Sequence, residues 1–245
     1  MTQQTLLDPA AGEGGEVPTS MVWKVVRGIR ERIRSEGLKI DDPLPSEAAI
    51  GAEMGVSRAV VREAYRSMSA LSLINASNGR RARVSEVDPG VLALLIEHAV
   101  TTDQVSVQQI LDVRRTIEMR TVSLATLRRS EREAREISAH AAAMRTDFKD
   151  SEKVMLHDIA FHEAIARASR NPLFMLIVGS FHVVTRQTWK IGWLARESDA
   201  VRLENVSLHE ALAAAVASGD RPRAEALMAE HFDNTVKVLL ASGIN

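Results

Sequence analysis

The sequence predicts a mainly α protein in two parts: an N-terminal winged helix-turn-helix, made of three helices plus a small β-hairpin wing, and a C-terminal all-α antiparallel helical bundle. Three observations predict it. Apolar residues recur at three- and four-residue spacing over most of the chain. Between residues 41 and 57, Pro and Gly punctuate two short helical runs, the pattern of a helix-turn-helix. After Asp88-Pro89-Gly90 the chain is Ala- and Leu-rich, nearly free of Pro and without strand alternation. With 245 residues, 45% of them hydrophobic, two domains with real cores are expected.

In chain order, residues 1–19 carry no Lys or Arg and no apolar run and are rich in Gly, Pro, Glu and Ala. They read as a disordered lead-in, neither a secretory signal nor a transit peptide. Residues 20–86 form the first domain. Val22, Val25, Val26, Ile29 and Ile33 make one apolar stripe of a helix capped by Ser20 and stopped at Gly37. Pro43 and Pro45 forbid helix and force extended chain. Ser46 caps a helix to about Met54, Gly55 allows a sharp turn, and Ser57 caps a second helix from Arg58 to about Leu71. Leu73-Ile74, a polar turn and a basic return through Val84 read as the wing. Residues 87–90 are taken as a linker and 91–242 as the second domain. Helices are expected there near 90–102, 106–128, 130–146, 150–169, 172–193, 199–217 and 221–241, separated by Ser130, Asn171-Pro172 and Gly219 to Pro222.

The net charge of −1 is a sum of unlike parts: −3 over residues 1–20, +4 over 21–86 and −2 over the remainder. Positive charge is thus concentrated in the first domain, where Arg58, Arg62 and Arg66 share one helix face at i, i+4, i+8. Such a helix in the major groove brings Arg58 and Arg62 to guanine O6/N7 or to flanking phosphates, with Ser46 and Ser57 at helix N-termini beside the backbone. In the wing, Arg81 and Arg83 fall on one side, and Asn78 and Gly79 at the tip approach the minor groove or its phosphates.

The absence of Cys excludes a disulfide framework, Cys-ligated zinc, iron–sulfur clusters and thiol catalysis, so any metal must be held by His and carboxylates. Asp158 and His162 project from one helix face at i, i+4, and His209 and His231, each flanked by apolar positions, turn inward from later helices. One carboxylate and three imidazoles suit a divalent ion, Zn²⁺ or Ni²⁺ foremost. The remaining histidines, His98, His140, His157 and His182, read as structural or surface residues. No apolar run approaches the ~20 residues of a membrane span, so a cytoplasmic protein with no membrane partner is expected.

Pro43-Leu44-Pro45-Ser46-Glu47, Met54-Gly55-Val56-Ser57-Arg58 and Val61-Arg62-Glu63-Ala64 together resemble the winged-helix domain of GntR-type bacterial transcription regulators. Arg114 with Glu118, Asp158 with His162, Asn171-Pro172-Leu173, His209 and His231 resemble the helical effector domain of the FadR branch, called FCD. The resemblance implies Arg58 and Arg62 as main DNA contacts and Asp158, His162, His209 and His231 as metal ligands. It also implies a homodimer on a palindromic operator in double-stranded DNA. A small carboxylate effector, a hydroxy acid or sugar acid, completes the metal's coordination, with Arg114 and Arg186 as its guanidinium partners. For Arg114 an i, i+4 pair with Glu118 is the competing reading.

The expected function is a transcription regulator, most simply a repressor, that is not an enzyme. A metal-dependent hydrolase or lyase is the alternative from another class, with Glu163 the one candidate base; it points about 100° away from His162. A DNA-binding protein with a purely structural metal is the third reading.

Overall fold

The computed structural model describes residues 20–76 and 80–244. The chain divides into two compact units, Met1–Val87 and Asp88–Asn245.

In the first unit, α1 (Met21–Ser35), α2 (Glu47–Met54) and α3 (Arg58–Ala70) precede β1 (Ile74–Asn75) and β2 (Arg83–Val84). Each helix begins where the sequence places a serine: Ser20 Oγ accepts from Trp23 N, Ser46 Oγ from Ala49 N and Ser57 Oγ from Val60 N. Gly55, at φ +65°, ends α2 in the left-handed region, where a side chain is strained. Gly51 is needed for a different reason: Val56 N donates to its carbonyl at 3.0 Å to close the turn, and a Cβ there would lie 3.0 Å from the Val56 carbonyl oxygen. Val25, Ile29, Leu44, Ile50, Val61 and Met68 fill the core between the three helices. The strands pair antiparallel with Ile74 opposite Val84 and Asn75 opposite Arg83. The Pro-fixed segment adds a third edge: Leu44 N donates to Ala82 O at 2.8 Å and Val84 N to Asp42 O at 3.0 Å. The wing is thereby tied to the loop that leads into α2.

The second unit is wholly helical among its described residues: α4 (Pro89–Thr101), α5 (Val107–Arg128), α6 (Glu131–Thr146), α7 (Ser151–Ala168), α8 (Pro172–Ser180), α9 (His182–Ala195), α10 (Asp199–Ser218) and α11 (Arg221–Ala241). Helix α5 packs on α7, α10 and α11, and α6 packs on α7 and α10. Phe161, Ile165, Leu212, Met228 and Phe232 form the centre, each 1% exposed or less. Capping boxes at Ser106 and Ser130 start α5 and α6, and Gly219, at φ +76°, ends α10.

Two boundaries differ from the sequence reading. Pro89 and Gly90 belong to the first turn of α4, capped by Asp88, so they are not linker. The helix expected over 172–193 is two helices with a break at Phe181. There Ser180 Oγ takes the Ile177 carbonyl at 2.6 Å and the His182 ring takes the Gly179 carbonyl at 2.7 Å, so side chains occupy acceptors the helical ladder needs. Phe181 is buried with Ile110 and Val184 at this bend. The bend lets α8 pack on α4 and α7 while α9 turns onto α11.

Candidate functional site

On the first unit, α3 buries Val61, Ala64, Tyr65 and Met68 and leaves Arg58, Arg62 and Arg66 exposed along its other face. Arg58 makes no ion pair or hydrogen bond among the described residues, and Arg66 lies 3.8 Å from Glu63, one turn back. Arg62 instead reaches another helix, donating from Nε to Glu47 Oε2 at 3.2 Å. One turn further on, the Tyr65 hydroxyl donates to the Pro45 carbonyl at 2.6 Å. Burial, helped by the Glu47 charge, pushes this phenol up to about 12, so it stays a donor. Ser46 and Ser57 are exposed, with their oxygens already engaged as caps. In the wing Arg81 is exposed, whereas Arg83 turns back and donates from Nη1 to the Asp41 carbonyl at 2.5 Å, clamping strand to loop. Expected on one side with Arg81, Arg83 is thus committed to the protein's own backbone. Asn78 and Gly79 lie outside the described residues.

On the second unit, three helices bring four polar side chains to one buried point. Asp158 and His162 come from α7, His209 from α10 and His231 from α11, and all four are 6% exposed or less. Ring centroids of His162 and His209 lie 5.0 and 4.7 Å from that of His231. One nitrogen from each of the three rings lies within 4.8 Å of the others. Asp158 Oδ1 stands 3.0 Å from His209 Nε2 and 3.9 Å from His162 Nε2.

The outer nitrogens decide what the inner ones can do. His209 Nδ1 donates to the Asn205 carbonyl at 2.8 Å, so Nε2 carries the lone pair. His162 Nδ1 donates to Glu118 Oε2, a carboxylate on α5 that is itself fully buried. Glu118 in turn accepts from Arg114 Nε at 2.5 Å, and Arg114 Nη1 donates to Thr185 Oγ1 at 2.8 Å. This leaves His162 Nε2, His209 Nε2 and His231 Nδ1 buried without a hydrogen-bond partner. Three orphaned imidazole nitrogens facing one another are costly in a dry core. They match the donor set a divalent cation takes, and the Asp158 carboxylate stands beside two of them.

Electrostatics agree. Burial raises the Asp158 carboxyl, but contact with His209 and the nearby imidazoles holds it well below the carboxylate range. Burial likewise opposes Glu118, but the Arg114 guanidinium and the hydrogen bond from the His162 ring hold it below its ordinary value. His231 is held well below its ordinary 6.5, first by burial and then by His209 and His162, against the pull of Asp158. A histidine depressed in the fold takes a proton more readily once unfolded. The metal-free protein should therefore be fully stabilised by this group above about 6.5 and lose that stability as the pH falls. A thermal midpoint in chelator that stayed flat from about pH 7.5 to about pH 5 would contradict this.

Asp158 and His231 also line a cavity of about 60 Å³. Its other polar walls are Arg114, Arg196, Asn205 and the hydroxyls of Thr185, Thr188 and Thr235, while Trp189 and Leu239 are among the apolar ones. Arg114 pairs with Glu118 and also lines the cavity, with its Cζ 5.5 Å from the Phe232 ring centre. Arg186 does not face it. It is exposed, about 100° round α9 from Thr185, and the second guanidinium in the wall is Arg196, whose Nη1 donates to the Gly192 carbonyl at 2.7 Å. The stripe Thr185, Thr188, Gly192, Arg196 has helical spacing and could have identified it; Glu118 as the partner of His162 had no local signal.

A family model described as FCD domain matches residues 109–234, and one described as bacterial regulatory proteins, gntR family, matches residues 23–84. The chain is 32% identical over 211 residues to the HTH-type transcriptional regulator LutR of Bacillus subtilis, covering 84% of this chain and 95% of that protein. It is 26% identical over 189 residues to the galactonate operon transcriptional repressor of Escherichia coli, covering 75% and 81%. In fold it is similar to Streptococcus agalactiae GntR, with a TM-score of 0.61 at 18% identity over 88% of this chain and 99% of that one. These relatives are regulators and not enzymes, which removes the hydrolase alternative. An arginine-faced winged helix joined to a helical unit with a buried polar centre is what such a regulator requires, and the chain belongs to the GntR family of bacterial transcription regulators, which bind double-stranded DNA, in its FadR-like, FCD-containing branch.

Proposed function

We propose that the protein is a metal-loaded, acid-responsive repressor that binds a palindromic operator as a homodimer. The observation that carries the reading is the set of three partnerless imidazole nitrogens beside Asp158, at the edge of a cavity with two guanidiniums. Asp158, His162, His209 and His231 would hold Zn²⁺ or Ni²⁺, which supplies a Lewis-acidic anchor for a carboxylate or hydroxyl oxygen. Arg114 and Arg196 would neutralise the acid, and Thr185, Thr188 and Thr235 would orient its hydroxyl groups. On this measure of volume a water needs ~10–15 Å³, so the cavity takes about four to six such groups. That size favours hydroxy acids of two or three carbons over six-carbon sugar acids.

Arg58 and Arg62 would read base edges, with Arg66, Ser46, Ser57 and Arg81 positioned for the backbone. An effector regulates only if it binds the DNA-competent and DNA-incompetent states with different affinity. The test starts from a duplex selected out of a random library by the full-length, Zn²⁺-loaded protein. Arg62→Ala is expected to lower affinity for it about 10- to 100-fold, the worth of one bidentate base contact, with the thermal midpoint unchanged. A short hydroxy acid is expected to shift wild-type binding where a six-carbon sugar acid does not. If neither acid shifts binding, the effector reading is wrong; if selected and shuffled duplexes bind equally, the operator reading is wrong.

A further inference from the structure

We propose that Glu47 is a positioning residue for DNA reading, holding the Arg62 guanidinium by its Nε so that the two terminal nitrogens face outward as a fork. The inference rests on the placement of α3 against DNA argued above. Glu47 is a carboxylate on a face that has to meet a polyanion, where it costs binding energy by charge alone. As an exposed ion pair, 56% and 36% exposed at its two side chains, it contributes little to stability. The geometry gives it another use. An arginine has five donors in a planar fork, and the bidentate contact to guanine O6/N7 needs two of them aimed together. Engaging Nε at 3.2 Å restricts the torsions that would otherwise swing the fork, while leaving Nη1 and Nη2 outside this pair.

The surroundings make Glu47 a firm anchor. It occupies the first position of α2, directly after the Ser46 cap, so its backbone does not slide. Two residues before it, the Pro45 carbonyl accepts from Tyr65, which stands at i+3 from Arg62 on α3. The start of α2 and the middle of α3 are therefore joined twice, once through a half-buried hydroxyl and once through the ion pair. Neither Arg58 nor Arg66 is held by another helix in this way among the described residues.

The experiment is a double-mutant cycle on the full-length protein, read as the ratio of affinities for the selected duplex and a shuffled duplex of the same composition. Glu47→Ala is expected to weaken binding to the selected duplex about tenfold and to leave binding to the shuffled duplex equal or tighter. In an Arg62→Ala background the same substitution should change the ratio by less than about twofold, since the residue it acts through is gone. Glu47→Gln, which keeps an acceptor for Nε without the charge, should recover most of the ratio. An equal loss of ratio in both backgrounds would make Glu47 merely structural, and equal tightening on both duplexes would make it merely a charge; either overturns the proposal. A wild-type ratio of one would instead overturn the placement of α3 on which it stands.

Discussion

Replacing His209 with alanine is expected to abolish the stabilisation that Zn²⁺ gives the protein. Metal that binds only the folded state at 100 to 1,000 times its Kd adds about 2.7–4.1 kcal/mol. In a domain of this size each kcal/mol moves the thermal midpoint by roughly 2–4 °C, so wild-type protein stripped with chelator should gain about 5–16 °C on Zn²⁺ addition. His209 is the decisive ligand to remove. Its ring is 1% exposed, its Nδ1 is committed to the Asn205 carbonyl, and its Nε2, 3.0 Å from Asp158 Oδ1, has no hydrogen-bond partner. The measurement is the midpoint with and without Zn²⁺ for each protein. An equal gain in wild type and His209→Ala would refute the assignment of the buried cluster as the metal centre.

Glu118→Ala should do two kinds of damage at once. Its carboxylate is the ionic partner of Arg114, which is only 7% exposed, and removing one member of a buried pair costs about 3–5 kcal/mol because the other charge is stranded. It also accepts from His162 Nδ1, and loss of such an orienting acceptor lowers metal affinity by about 10- to 100-fold. Glu118→Gln separates the effects: the amide oxygen can still accept from His162, but nothing balances Arg114. Urea unfolding of the metal-free proteins should show both variants destabilised, and competition for Zn²⁺ should show Glu118→Ala the weaker binder. Wild-type stability together with wild-type Zn²⁺ affinity in Glu118→Ala would strip Glu118 of both roles. The link also ties the metal to the cavity wall, since Arg114 reaches Thr185 from the same carboxylate.

The candidate ligand residues stand out in the sequence because their chemistry is conspicuous: with Cys absent, inward-facing histidines and an i, i+4 Asp/His pair are few. The orienting groups were not. A glutamate four residues after an arginine is ordinary helix decoration, and only the packing of α5 on α7 shows that Glu118 also meets His162. Sequence alone offers Arg186 as a cation in the right helix. The bend at Phe181 sets the direction of α9, and helical phase then turns Arg196 inward and Arg186 to solvent. In the wing, too, the charge of Arg83 is legible in the sequence, but its hydrogen bond to the Asp41 carbonyl is not.

Local pattern in the chain suffices for the two-part architecture, the helix starts at Ser20, Ser46, Ser57 and Ser130, the turns at Gly55 and Gly219, and the residue types gathered at the buried centre. All of these follow from interactions within a turn or two of chain: caps, left-handed φ values and 3.6-residue periodicity. The tertiary structure alone decided which imidazole nitrogens are left without partners, which guanidiniums face the cavity, and that Glu47 holds Arg62. Those depend on side chains 15 to 71 residues apart meeting at hydrogen-bond distance. Contact at that separation is set by how helices pack, and no local pattern in the chain encodes it.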